Sequence, residues 1–96
     1  MSYRLEFKRS ALKEWRSLGA TVREQFKQKL AERLKRPHIV AARLSGMPDC
    51  YKIKLRAAGY RLVYQVVDRT ITVIVVAVGK RERGSVYLKA ISRVSQ

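Results

Sequence analysis

Lysine and arginine recur at every second position in the first half of CYKIKLRAAGYRLVYQ, residues 50–65. Because side chains alternate across a β-strand, Lys52, Lys54 and Arg56 should project from one face of a strand. Crowded cations can bind a phosphate diester and neutralise the charge that develops on it, and crowding lowers the pKa of a lysine. Lys52 or Lys54 could then accept a proton, and these residue types fit cleavage of RNA, which carries its own nucleophile in the 2′-OH.

The alternation is interrupted once, at Ala57-Ala58-Gly59, which predicts a β-hairpin with one apolar and one cationic face. We expect either a two-residue loop at Ala58-Gly59 or a four-residue loop at 57–60. Both loops give the same register, which places Arg61 on the face of Lys52 and Lys54. A charged face is also typical of a solvated outer sheet surface, and the hairpin alone leaves that interpretation open.

Other kinds of catalytic site lack the residues that they need. The 7 Asp and Glu residues are scattered without the spacing of a metal site or of a carboxylate pair. Cys50 is the only cysteine and His38 the only histidine, so an internal disulfide and a paired-histidine ribonuclease are excluded. We expect His38 to be a solvated loop residue, and we expect no metal and no cofactor.

The charge of the chain indicates a densely anionic partner. Lys and Arg total 22 against 7 acids, a net charge of +15 in 96 residues that we interpret as one small domain, 1–96. Nucleic acid is the leading candidate, because neutralised phosphates release counterions, and a membrane partner is not expected. The first ten residues hold no signal-peptide core, and the longest apolar run, 73–78, is too short to span a bilayer. These features predict a cytoplasmic protein.

The N-terminal third predicts a strand followed by two helices. Residues 2–8 alternate as a strand with one buried face. Ser10 should cap a first helix that ends at Gly19 in a left-handed conformation. Thr21 and Glu24 have the spacing of a capping box for a second helix, which would pair with the first as a helical hairpin.

The remaining elements complete an α+β pattern. The second helix should end before Pro37, and residues 70–79, TITVIVVAVG, suit a central strand covered on both faces and broken by Gly79. Residues 84–94 predict a short C-terminal helix. We therefore expect a helical hairpin packed on a mostly antiparallel four-stranded sheet.

Long runs of this sequence resemble the RelE family of bacterial toxins, over nearly the whole length. The segments that carry the resemblance are ALKEWRSLG at 11–19, TVREQFKQKL at 21–30, GMPDCYKIKLR at 46–56, GYRLVYQV at 59–66, and VGKRER with Val86-Tyr87. The resemblance implies a small RelE/ParE-like domain that cleaves messenger RNA in the ribosomal A site without a metal. It also implies a RelB-type antitoxin as partner and a toxin–antitoxin complex that binds operator DNA through the antitoxin.

The family's active-site positions are all occupied by matching residues here: Lys52, Lys54, Arg61, Arg81 and Tyr87. The resemblance implies that Lys52 or Lys54 assists deprotonation of the 2′-OH and that Arg61 and Arg81 hold the scissile phosphate. Arg81 would also protonate the leaving oxygen, and Tyr87 would stack on or orient a nucleotide.

Further basic residues predict a broad surface for RNA and for the ribosome. They are Arg23, Lys27, Arg33, Lys35, Arg36, Arg43, Arg56, Lys80 and Arg83. Ser45 departs from the family pattern, because an arginine is expected there, so one phosphate or ribosomal RNA contact is in doubt.

Two other functions remain open. A toxin of the same fold class, the ParE group, poisons DNA gyrase, although gyrase binding does not need the five-residue cluster. The other alternative is a non-catalytic basic RNA-binding module, for which charge alone is sufficient.

Overall fold

Four strands and three helices account for the ordered elements of the computed structural model, which describes residues 2–82 and 84–94. The strands are β1 (Arg4–Phe7), β2 (Cys50–Leu55), β3 (Tyr60–Val67) and β4 (Thr72–Lys80). The helices are α1 (Arg9–Arg16), α2 (Ala20–Lys35) and α3 (Ser85–Val94), and short 3₁₀ turns span Val40–Ala42 and Asp68–Thr70.

The strands form one sheet in the order β1-β4-β3-β2. β2, β3 and β4 pair antiparallel, and β1 pairs parallel with β4 at the edge, so the predicted mostly antiparallel sheet is confirmed. β1 is shorter than the predicted 2–8. Its face is only partly buried, because Tyr3 and Phe7 pack against the core while Leu5 is 38% exposed.

Apolar side chains cover both faces of the sheet. On one face α1 and α2 contribute Trp15, Phe26 and Leu30 to a first core, which also contains Ile53 and Tyr64 from the hairpin. On the other face α3 packs on a smaller second core around Val63, Val76, Ala77, Val86 and Ala90. The prediction that the continuous apolar strand is buried on both faces is therefore confirmed for β4.

The helix ends differ from the prediction. α1 begins after Lys8, so Ser10 lies inside the helix. Gly19 is extended, with φ −63° and ψ 154°, and it precedes α2 directly. Thr21 therefore lies within the first turn of α2 and makes no side-chain cap, so the predicted capping box with Glu24 is wrong. Gly19 was predicted to end α1 in a left-handed conformation, but α1 has already ended at Arg16.

A β-bulge in β4 changes the direction of its side chains. Val76 has no partner on β3, because its neighbours Val75 and Ala77 pair with Tyr64 and Val63. The extra residue reverses the alternation, so Val75 faces the first core while Val76 and Ala77 both face the second.

β4 does not stop at its glycine, so that prediction is wrong. Gly79 pairs with Arg61 on β3, and the next residue, Lys80, pairs with Tyr60. Past the bulge, the alternation puts Gly79 on the same face as Arg61 and carries Arg81 toward that face.

The turn before β4 contains a strained residue. Ile71 has φ 50° and ψ 53°, in the left-handed region that a β-branched side chain rarely adopts. Its N–H donates to the Asp68 carbonyl at 3.1 Å, and its carbonyl accepts from the Arg4 N–H at 2.9 Å. These backbone hydrogen bonds at the start of β4 hold it in this conformation.

Replacing Ile71 with asparagine should raise the free energy of unfolding by about 1 kcal/mol, because asparagine tolerates the left-handed region. Urea denaturation measures the change. Val40→Asn is the control, since Val40 is 82% exposed and does not have a positive φ. An Ile71→Asn variant no more stable than the wild type would show that the turn stores no strain.

Candidate active site

The β2–β3 ladder brings the predicted cations together. Lys54 lies directly opposite Arg61, and Lys52 lies opposite Val63, two pairs further along. Val63 belongs to the second core, so these cations occupy the sheet face that α3 covers in part. The predicted sharing of one face by Lys52, Lys54 and Arg61 is confirmed, and we call it the cationic face.

The hairpin loop has four residues and begins one residue earlier in the chain than the predicted four-residue loop. It spans 56–59 rather than 57–60, because Leu55 pairs with Tyr60. Gly59 is left-handed at φ 73°, as glycine permits, and its N–H donates to the Leu55 carbonyl at 2.8 Å. The Arg81 N–H donates to the Gly59 carbonyl at 2.7 Å, which fixes the end of β4 beside the hairpin loop.

Arg61 is a buried cation. It is 6% exposed, and its Nη1 donates to the Tyr60 carbonyl at 3.0 Å. Within residues 2–82 and 84–94, ion pairs join acids only to His38, Lys89 and Arg93, so no carboxylate neutralises Arg61. Burying a charge without an opposite charge is costly, and an anionic ligand would remove that cost.

Repulsion among the cations changes the acidity of Lys54. The charge of Lys52 lowers the pKa of Lys54 most, followed by burial and by the charges of Arg56, Arg61 and Arg81. The interaction with Arg81 also shows that this residue lies near the cationic face. Lys54 therefore loses its proton more readily than an isolated lysine.

Tyr87 lies on α3, on the same side of the sheet as these cations. It is partly buried and packs against the second core, which includes Val63. The position of Tyr87 over the sheet therefore depends on where α3 packs.

A groove continues the basic surface around the free edge of β2. Its volume is about 340 Å³, and its lining residues are Arg33, Ile39, Ala41, Ala42, Lys52, Lys54 and Arg56. Arg33 is held in place there, because its Nη1 donates to the Lys52 carbonyl at 3.1 Å and to the Tyr64 hydroxyl at 2.9 Å. Arg33 thus connects α2 to the strand that carries the lysines.

The other predicted RNA-binding residues are mostly solvated. Those with exposed side chains are Lys27, Lys35, Arg36, Arg43, Arg56 and Lys80. Arg23 is half-buried, and its Nη1 donates to the Leu18 carbonyl at 2.9 Å. Arg83 lies outside the described residues. The basic residues of α2 extend from the β2 edge and do not lie on the cationic face.

His38 makes contacts that the sequence did not indicate. Its Nε2 lies 2.9 Å from Asp68 Oδ1, and its Nδ1 lies 3.1 Å from the Tyr51 hydroxyl. The Tyr3 hydroxyl also donates to Asp68 Oδ1, at 2.7 Å. Hydrogen bonds from Tyr3 and His38 lower the pKa of Asp68. This network closes the end of the sheet opposite the hairpin loop, so its role is structural.

Two further features are absent from the described part of the chain. It contains no group of three or more His, Cys, Asp and Glu side chains that could hold a metal ion. None of its helices is both long enough and apolar enough to cross a membrane.

Comparison with known proteins defines the class. Residues 5–84 match the family described as the ParE toxin of the type II toxin–antitoxin system parDE. With its two-helix hairpin, open sheet and cationic face, the chain is a toxin of this class.

Individual relatives identify the family within this class. The chain is 62% identical over 94 residues to the mRNA interferase toxin RelE of Escherichia coli K12, covering 98% of this chain and 99% of the relative. A mutant of the E. coli toxin RelE in the free state superimposes with a TM-score of 0.90 at 60% identity, covering 97% and 98% of the two chains. The intact E. coli RelBE toxin-antitoxin complex matches with a TM-score of 0.83 at 63% identity, covering 85% and 100%. The chain belongs to the RelE family.

The Lys52→Met variant should raise the pKa of Lys54 toward its ordinary value, because Lys52 is the largest cause of the lowering. An NMR titration of the lysine side chains measures this pKa. Lys13→Met removes the same charge from the exposed surface of α1 and should leave the pKa of Lys54 unchanged. If the two variants gave the same pKa, repulsion on the cationic face would not be its cause.

Proposed function

We propose that the chain is an endoribonuclease that cleaves messenger RNA in the ribosomal A site and so inhibits translation. The observation that carries this proposal is the buried Arg61, which has no acidic partner among the described residues and lies opposite Lys54. A phosphate diester would neutralise Arg61 and would lie beside a lysine of lowered pKa. The name of the E. coli relative, an mRNA interferase, supports the same activity.

The reaction uses the nucleophile of the RNA itself. The 2′-oxygen attacks the adjacent phosphorus as its proton passes to a base on the protein. The bond from phosphorus to the 5′-oxygen then breaks, leaving a 2′,3′-cyclic phosphate and a 5′-hydroxyl after that oxygen takes up a proton. Positioning and charge neutralisation account for such catalysis, so no metal or other cofactor is needed.

Each residue of the site has a proposed role. Lys54, whose pKa is lowered, is the proposed base, and the charge of Lys52 keeps that pKa low. Arg61 and Arg81 hold the scissile phosphate and the charge that develops on it. Arg81 also lies at the surface, where it can deliver a proton to the leaving oxygen. Tyr87 stacks on or orients a nucleotide beside them.

The partners follow from the family and from the charge. The solved RelBE complex supports a RelB-type antitoxin that neutralises this toxin, and we expect the pair to bind operator DNA through the antitoxin. The 70S ribosome is the proposed docking partner, through the exposed basic residues of α2 and the β2 edge. Ser45 lies where the resemblance leads us to expect an arginine, so we propose one fewer cationic contact there. Translating ribosomes are cytoplasmic, so we propose the same location for this toxin, with residues 1–96 acting as one domain.

Two other functions make different predictions. A gyrase poison of the ParE type is compatible with the family match, but it has no need of a buried arginine opposite a lysine of lowered pKa. A non-catalytic RNA-binding module would use the same charge without cleavage. Cleavage of RNA by the purified chain therefore separates the proposed function from both.

Antitoxin-free protein should cut messenger RNA within the A-site codon of programmed ribosomes, and mapping of new 5′ ends locates the cuts. Arg61→Ala should slow single-turnover cleavage by about 10²–10³-fold, because it removes charge stabilisation from the transition state. Arg69→Ala, at an exposed turn on another part of the surface, should cleave at the wild-type rate. Absence of cuts by the wild type on ribosomes and on naked RNA would overturn the proposal.

The pH dependence of that rate identifies the base. Cleavage should accelerate with rising pH until Lys54 is deprotonated, and Lys54→Ala should abolish this rise. Lys52→Ala should keep the rise but move it to higher pH, because the pKa of Lys54 increases when the charge of Lys52 is removed. A rise that survives in Lys54→Ala and disappears in Lys52→Ala would assign the role of base to Lys52.

A further inference from the structure

The free edge of β4 needs partners from outside the sheet. β1 makes its last backbone hydrogen bond to β4 where the Lys8 N–H donates to the Val75 carbonyl at 3.0 Å. Beyond this point the bulge turns the backbone of Val76 and Val78 toward an edge that β1 no longer covers. Unpaired backbone groups are costly when buried. Glu14 of α1 supplies one partner, since its Oε1 accepts the Val78 N–H at 3.2 Å.

Arg93 of α3 supplies the other partner. Its Nη1 donates to the Val76 carbonyl at 2.9 Å and to Glu14 Oε1 at 2.8 Å, and its Nη2 donates to Glu14 Oε2 at 3.0 Å. The pairing is bidentate, which fixes the direction of the guanidinium as well as its distance. Lys89 adds a weaker contact, with its Nζ 3.3 Å from Glu14 Oε2.

This cluster connects the two faces of the sheet. α1 packs on the first core and α3 on the second, and the Glu14–Arg93 pair joins them around the edge of β4. Both side chains are largely buried, at 20% and 16% exposure. Burial raises the pKa of Glu14, but hydrogen bonds from Arg93, Val78 and Lys89 outweigh it and hold this pKa below its ordinary value. The pair is therefore charged at neutral pH.

α3 depends on such contacts for its position. It contains 10 residues, and a helix of this length is marginal in isolation. Val86 and Ala90 are its buried residues, and Tyr87 and Val94 also pack against the second core. These apolar contacts are not directional, whereas the bidentate pair of Arg93 with Glu14 fixes a direction. Tyr87 lies on the same helix, about 9 Å along the axis from Arg93 at 1.5 Å per residue.

We propose that Glu14 is a positioning residue of the RNA site, which fixes Arg93 and thereby α3 so that Tyr87 is held over the cationic face. The inference rests on the proposed function, because it concerns the role of Tyr87 in cleavage. Glu14 itself lies on α1 and contacts the β4 edge, whereas the cationic face belongs to β2 and β3. Its effect on cleavage therefore passes through the position of α3.

A double-mutant cycle tests this route. Glu14→Gln keeps the shape of the side chain but removes its charge, and it should slow single-turnover cleavage on saturating ribosomes by about tenfold, as expected for a misplaced catalytic group. In the Tyr87→Ala background the same substitution should change the rate less than twofold. Glu24→Gln, on the exposed surface of α2, makes the same change in net charge and should leave both rates unaltered.

A second measurement does not depend on activity. Amide hydrogen exchange in residues 85–94 should be faster in Glu14→Gln than in the wild type or in Glu24→Gln. Arg93→Lys, which keeps the charge but loses the bidentate pairing, should act in the same way and serves if Glu14→Gln does not fold. Thermal unfolding verifies that each variant is folded.

The outcomes separate the two proposals. Absence of cleavage by the wild type would overturn the proposed function and, with it, the role of Glu14. Cleavage by the wild type, with equal losses from Glu14→Gln in both Tyr87 backgrounds or with unchanged exchange in α3, would overturn the role of Glu14 alone.

Discussion

Repulsion among like charges on one face of the hairpin is the constraint on which the rest of the structure depends. Lys52, Lys54 and Arg61 lie side by side, and Arg61 is buried without an acid to balance it. This repulsion destabilises the hairpin. Burial on the opposite face offsets the repulsion, because Ile53 and Tyr64 are buried there in the first core and each large buried side chain contributes about 1.5–3 kcal/mol.

The helices cover the two faces of the sheet to different extents. α1 and α2 cover the first core broadly, whereas α3 covers only part of the other face and leaves the lysines accessible. A sheet with two fully covered faces would be more stable, but it would have no room for a substrate. Arg33 compensates at the open β2 edge, where it ties α2 to the backbone of Lys52 and to the Tyr64 hydroxyl.

The bulge at Val76 links the site to the rest of the fold. It places Gly79 on the same side of the sheet as Arg61, and it turns Val76 and Val78 toward the edge that Glu14 and Arg93 cover. One additional residue in β4 therefore sets both the face on which Gly79 lies and the edge to which Glu14 and Arg93 bind.

The sequence by itself determined the features that depend on local periodicity. Alternation at 50–65 placed Lys52, Lys54 and Arg61 on one face, and the apolar run at 73–78 indicated a strand buried on both sides. The family and the five candidate active-site residues were also recognisable from long matching runs. These signals are strong because side-chain direction in a strand follows from the backbone itself.

Tertiary structure alone decided the features that depend on contacts between distant segments. The bulge at Val76 follows from pairing with β3, so residue numbers could not predict that Gly79 lies on the face of Arg61. The N-caps of α1 and α2 are Lys8 and Gly19, and neither makes a side-chain cap, so the polar residues nearby did not mark the helix starts. Glu14 and its partner Arg93 lie 79 residues apart in the sequence. An ion pair between such residues exists only once the sheet has brought their helices to the same edge.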